Sequence, residues 1–171
     1  MSELKHYDVQ QSIAKATSEK KKNKALFSKL KQLKTKDLDE KFHIPHDNVF
    51  ENYNCLSCAN CCKTTSPIFT RKDVDRLAAY LDMKPVEFQI KYLIIDEDDD
   101  FVLHSSPCPF LEEDNTCKVY SARPNACREY PHTNRKKMYQ ILDLTLQNTL
   151  VCPAVNLIVE KIKKGLQNQA N

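Results

Sequence analysis

The chain has 171 residues, 41% of them hydrophobic and 29% charged, with a formal net charge of +3. That length suits one domain with an appendage better than two full domains, and the composition excludes a chain disordered throughout. Gly165 is the only glycine, which argues against Walker and Rossmann phosphate loops and leaves the turns to Asn, Asp, Ser and Pro.

The opening segment, MSELKHYDVQQSIAKATSEKKKNK, has no apolar stretch followed by a small-residue cleavage site. No apolar run approaches the ~18 residues that would span a bilayer, so a cytoplasmic chain is expected. Residues 1–41 carry eleven lysines against six acids, a balance of +5, whereas residues 42–171 sum to −2. Leu4, Tyr7 and Ile13, then Leu26, Phe27, Leu30 and Leu33, fall at helical spacing. They predict a long N-terminal helix, an extension over 1–41 that packs against a cysteine domain over 42–171. Nucleic acid is disfavoured as its partner, because without arginine and with few aromatics the charge would act only non-specifically.

His43 to Asp47 reads as a linker. Thr70 followed by Asp73, with Val74, Leu77, Ala78 and Leu81 in phase, predicts a capped helix over about 71–81. A second helix should begin at Pro85 and carry Val86, Phe88 and Tyr92 inward. YLIIDEDDDFVLHS predicts two short strands around an acidic turn, which lacks the ligand spacing and glycine of a calcium loop. PCPFL and TCKVY form another extended pair around EEDN and should bring Cys108 and Cys117 together. Residues 136–150 read as a helix. The last helix starts at Pro153, with Cys152 at its head, carries Val155, Ile158, Val159, Ile162 and Leu166, and loosens at Gly165. The expected fold class is α+β, mainly α-helical, with short β-hairpin elements and loops held by bound metal.

Four of the eight cysteines occupy CLSCANCC, as Cys55, Cys58, Cys61 and Cys62; the others are Cys108, Cys117, Cys127 and Cys152. In a reducing cytoplasm such a pattern is metal-binding or catalytic rather than a disulfide framework. Two-residue gaps wrap successive sulfurs around one ion, and soft thiolates suit zinc, copper(I) or iron-sulfur clusters. Eight thiols could complete two four-ligand sites, with adjacent Cys61 and Cys62 facing one each.

The combination of CLSCANCC, TRKDVDRLAAYL, EFQIKYL, CPFL, CKVYSARPNACREYP and CPAV resembles the YkgJ-type cysteine cluster family, a zinc- or iron-chelating CxxCxxCC domain. The resemblance runs from about Tyr53 to Lys164. Ala59 stands where the family commonly has glycine, and His132 where an aromatic is frequent. The resemblance implies a metal-chelating module with Cys55, Cys58, Cys61, Cys62, Cys108, Cys117, Cys127 and Cys152 as ligands. It also implies kinship with a cysteine cluster in flagellin lysine methylases, and supplies no reaction.

Arg123 and Arg128 are candidates to offset the negative charge of a tetrathiolate centre, against the plainer role of bracing loops. Tyr130 is expected to pack beside the site, as is Tyr120, and His104 and His132 to be ordinary histidines. The expected function is chelation of zinc or iron by cysteine thiolates for a structural, storage or delivery role. The alternative is an iron-sulfur protein, with a [4Fe-4S] cluster, supporting electron transfer or the methylation of a protein partner. No catalytic constellation stands out, and whether the chain is an enzyme is left open.

Overall fold

The structure, a computed structural model, describes residues 8–168. It is mainly helical, with 61% helix and 6% strand. In chain order the elements are α1 (Val9–Ser18), α2 (Lys20–Leu30), α3 (Thr35–Phe50), α4 (Asn60–Thr64), β1 (Ile68–Phe69), α5 (Arg71–Tyr80) and α6 (Pro85–Tyr92). There follow β2 (Leu93–Ile95), β3 (Phe101–Leu103), α7 (Asn125–Glu129), α8 (Leu142–Asn148) and α9 (Pro153–Asn168). Short 3₁₀ turns cover Cys55–Ser57, Tyr120–Ala122 and Met138–Ile141. The chain divides into two compact units: one takes the residues up to Cys58 and again from Pro131 onward, the other is Ala59–Tyr130.

In the first unit, α1 and α3 pack on α9, and α2 packs on α8. The buried side of α9 is Ala154, Val155, Ile158, Val159 and Ile162, the stripe that its apolar spacing predicts. Leu4 and Tyr7 of the N-terminal stripe lie outside the described residues. The single long helix expected there is three helices. The chain breaks at Glu19 and again at Lys31–Lys34, where Gln32 N–H to Lys29 O and Leu33 N–H to Leu30 O tighten the last turn. The breaks let α1, α2 and α3 each turn an apolar side to its own neighbour, which one straight rod could not do.

The linker expected at His43–Asp47 is helical, because α3 runs through Pro45 to Phe50. Proline removes one i→i−4 bond, but Leu38, Phe42 and Val49 of α3 are buried, and that burial outweighs the loss. Gly165 does not end α9 either. Nothing stands within 4 Å of where its Cβ would be, so the exposed turn tolerates it at a cost of about 1 kcal/mol. Residues 136–150 form a 3₁₀ turn and α8 rather than one helix.

The second unit holds a three-stranded antiparallel sheet in the order β1-β3-β2. Leu93 pairs with Leu103 and Phe69 with Phe101 on the side that joins Val74, Leu77, Ala78, Phe88, Phe110, Val119 and Ala122 in the core. The helix expected at 71–81 is α5, opened by the reciprocal Thr70/Asp73 cap. α6 begins at Pro85 and buries Phe88, with Tyr92 packed against the core. Val86, expected inward, is 63% exposed: at two residues before Phe88 it falls on the opposite side of a 3.6-residue helix. The acidic turn closes on itself, Asp96 Oδ1 accepting from the amides of Asp98 and Asp100.

With Gly165 in α9 the only glycine, the left-handed positions among the described residues fall to Ala59, Asp82, Asp99, Asn115, His132 and Lys137. Asp and Asn take three of the six, as their short polar side chains favour. No single described helix is long and apolar enough to cross a membrane; α8 with its 3₁₀ turn and α9 meet that test only as a pair bent by 116°.

Candidate metal centre

All eight cysteines are free thiols. In the second unit the chain beyond β1 and β3 stays paired: Leu103 N–H donates to Ser66 Oγ at 2.7 Å, Ser106 Oγ to Lys63 O at 2.9 Å, and Cys108 N–H to Cys62 O at 2.8 Å. That ladder sets Cys62 on α4 beside Cys108. The pair expected from PCPFL and TCKVY is reduced to one bridge, Leu111 with Cys117. Lys118 N–H donates to Phe110 O beside it at 2.9 Å, and Cys117 thereby comes into electrostatic reach of Cys108. Cys127 rides on α7, whose first amide, Asn125 N–H, donates to the buried Asp73 at 3.1 Å.

These placements load the thiols. Burial pushes Cys127 up to about 12, and Cys62, Cys108 and Cys117 add to it as like charges. Burial also pushes Cys108 up to about 11, against the Phe110 amide, with Cys62 and Cys117 adding to the rise. Cys117 is raised by burial against the Val119 amide, and further by Cys62. Cys62 is lowered to about 7, chiefly by its hydrogen bond from Cys61, whose sulfur lies 4.0 Å away. The two adjacent sulfurs, expected to face apart, are thus neighbours. Their spacing is close to the ~3.8 Å between sulfurs of a tetrahedral zinc with 2.3 Å bonds.

In the first unit, Cys55 opens and Cys58 caps the 3₁₀ turn that follows Asn54, whose Oδ1 accepts from Leu56 N–H at 2.9 Å. Cys152 stands at the head of α9, held by its own N–H to Asn148 O at 2.8 Å. Burial pushes it up to about 12, opposed by the amides of Val155 and Ala154, while Cys55 and Cys58 act on it as like charges. Tyr53, 7% exposed, is raised by burial and by its hydrogen bond to Cys58.

The donor set suits a soft metal: Cys108, Cys117, Cys127 and Cys152, kept protonated by burial and by neighbouring thiols, would lose their protons to an ion. Backbone N–H groups already point at Cys108, Cys117 and Cys152 from two or three residues further on, an arrangement that favours thiolate sulfur. Among the described residues, no group of three or more His, Cys, Asp or Glu closes on a single point. Electrostatic reach between the sulfurs is found within each unit, among Cys62, Cys108, Cys117 and Cys127 in one and among Cys55, Cys58 and Cys152 in the other.

Of the other expected site residues, Arg123 lies 3.7 Å over the Tyr120 ring, donates to Tyr120 O, and lowers both Cys117 and Cys127. Arg128 braces the same turn through Ser121 O and Arg123 O. The hydroxyl of Tyr130 is buried. His104 donates to Lys91 O at 2.8 Å. Two residues of the site went unread in the sequence. Tyr53 is visible there only as an aromatic two positions before Cys55, and Asp73 only as a helix cap.

Residues 54–149, more than half of the chain, match the family CxxCxxCC, putative zinc- or iron-chelating domain. The chain belongs to the CxxCxxCC family. The match supports binding of a metal ion through the cysteine cluster. No curated protein and no solved structure matches this CxxCxxCC chain.

Proposed function

We propose that the protein holds zinc or iron on its cysteine thiolates in the reducing cytoplasm, and that the bound metal fixes loops which the small apolar cores do not. The chelating module is residues 42–171, with 1–41 as its lysine-rich extension. All eight cysteines are ligands, divided by unit: Cys55, Cys58 and Cys152 in one, Cys61, Cys62, Cys108, Cys117 and Cys127 in the other. The observation that carries this is convergence in the second unit, where hydrogen-bonded chain sets Cys62, Cys108 and Cys117 together and α7 adds Cys127. Arg123 offsets the charge of the thiolates from beside Cys117 and Cys127; Arg128 and Tyr130 support the loop that carries them.

A bound ion would replace thiol protons and draw the sulfurs onto itself, so binding couples to folding, with apparent energies of about 10–16 kcal/mol for structural zinc at neutral pH. Anaerobic purification with elemental analysis and visible absorption tests the proposal. Zinc in a colourless protein supports a structural, storage or delivery role. Iron with acid-labile sulfide moves the assignment to a [4Fe-4S] protein serving electron transfer or modification of a protein partner. Neither metal above background overturns it.

A further inference from the structure

The exposed side of α2 has a pattern that metal binding leaves unused. Its eleven residues, KKKNKALFSKL, contain five lysines and no acid, and its buried residues are Asn23, Leu26, Phe27 and Leu30. At 100° per residue the remaining side chains cover an arc of roughly 200°. Lys20 and Lys24 fall on one flank of that arc and Lys22 and Lys29 on the other. Lys21, Ser28 and Ala25 form the crown between them.

Three lysines elsewhere in the same unit take carboxylate partners: Lys15 pairs with Glu160, Lys31 with Asp143, and Lys163 with Glu19 and Glu160. No such pair forms at Lys20, Lys21, Lys22, Lys24 or Lys29 among the described residues. The acid nearest in sequence, Glu19, is engaged by Lys163. Among the described residues no carboxylate pair therefore offsets the exposed charge of this helix.

Charge on both flanks selects the shape of that partner. A flat anionic membrane could meet one flank at a time, and it would want an apolar crown to bury, whereas the large apolar residues of α2 are already in the core. A concave polyanion meets both flanks at once. The major groove of B-form DNA is about 12 Å wide with phosphates along both walls, and a helix with its side chains is about 10–12 Å across. A-form RNA offers only a deep, narrow major groove that excludes it. The small Ser28 and Ala25 let the crown enter, and the absence of arginine forks and aromatics removes base reading but not phosphate contact.

We propose that the solvent side of α2 docks in the major groove of duplex DNA and binds phosphates on both walls without reading sequence. Five phosphate contacts give a slope of log affinity against log salt near −4.5, a loss of roughly 500-fold between 50 and 200 mM. The test is fluorescence anisotropy of the full metal-loaded chain with a labelled duplex across that range. The comparison is the variant Lys20→Gln, Lys22→Gln, Lys24→Gln, Lys29→Gln, whose helicity and metal content should match the parent. The variant should lose about 3.6 from the slope. Affinity that ignores salt, a variant that binds as the parent does, or binding to phosphatidylserine vesicles or polyglutamate in preference to duplex would each overturn the proposal.

Discussion

At Asn23 the chain buries an amide oxygen for which no donor exists among the described residues. A buried polar group left unsatisfied costs about 1–3 kcal/mol, and Asn23 shares its side of α2 with Leu26, Phe27 and Leu30. Asn23→Leu should therefore raise stability by about 1 kcal/mol, read as a higher denaturant midpoint with an unchanged slope; a lower midpoint would count against it. Asp73 is the opposite case. Burial pushes its carboxyl up, but the Thr70 hydroxyl and amide, Arg76 and the Asn125 amide outweigh this and hold it below the ordinary value. Its contribution is present above the unfolded value of about 3.9 and is lost as pH falls through the lowered folded one. Asp73→Ala should cost about 3 kcal/mol near neutrality and flatten the acid limb of an unfolding-against-pH curve; parallel curves for the two proteins would contradict the assignment. T-x-x-D in the sequence announces a helix cap, and the cap is there. Its second duty, anchoring the helix that carries Cys127, depends on a contact 52 residues away that no local pattern encodes.

Along α3 three side chains at positions i, i+4 and i+7 hold the segment that follows Pro131. Asp39 accepts from the amides of Lys137 and Met138 at 2.8 Å, His43 donates to Arg135 O at 2.9 Å, and His46 Nδ1 shares a hydrogen bond with Thr133 Oγ1 at 2.8 Å. Thr133 is fully buried. Burial lowers His46 below its ordinary value, partly opposed by Asp47 and aided by His43. The unfolded chain thus binds a proton at His46 more readily than the folded one. The contribution is complete above about pH 6.5 and declines as pH falls toward the lowered value. Melting temperature should drop between pH 7 and 5, and His46→Gln should drop less over that window; an equal drop would exclude His46 as the cause. This element also marks where sequence signals ran out. Helices at Arg71, Pro85 and Pro153 were legible because caps and apolar spacing agree there. The segment His43 to Asp47 reads as a linker in the sequence, whereas the burial of Phe42 and Val49 that keeps it helical through Pro45 is a tertiary fact.

Across the whole molecule, the boundary between the two compact units falls between Cys58 and Ala59, inside CLSCANCC itself. Spacing alone suggests that such a motif wraps one ion, and eight thiols suggest two. Which cysteines group was not legible, since it depends on the pairing of Cys62 with Cys108 and on the packing of Cys152 at the head of α9. If each unit contributes its own centre, single substitutions should separate them. Cys58→Ser should remove the metal held with Cys55 and Cys152 and leave that held with Cys62, Cys108, Cys117 and Cys127. Cys127→Ser should do the reverse, and the double variant should bind none. Metal per chain, measured after gel filtration, would then fall by one equivalent in each single variant, and limited proteolysis should open only the unit that lost its ion. A single shared centre predicts instead that either substitution empties the protein completely. Because structural zinc is worth about 10–16 kcal/mol to a small site, against a total stability of only about 5–15 kcal/mol for a whole domain, loss of one equivalent should unfold its unit outright.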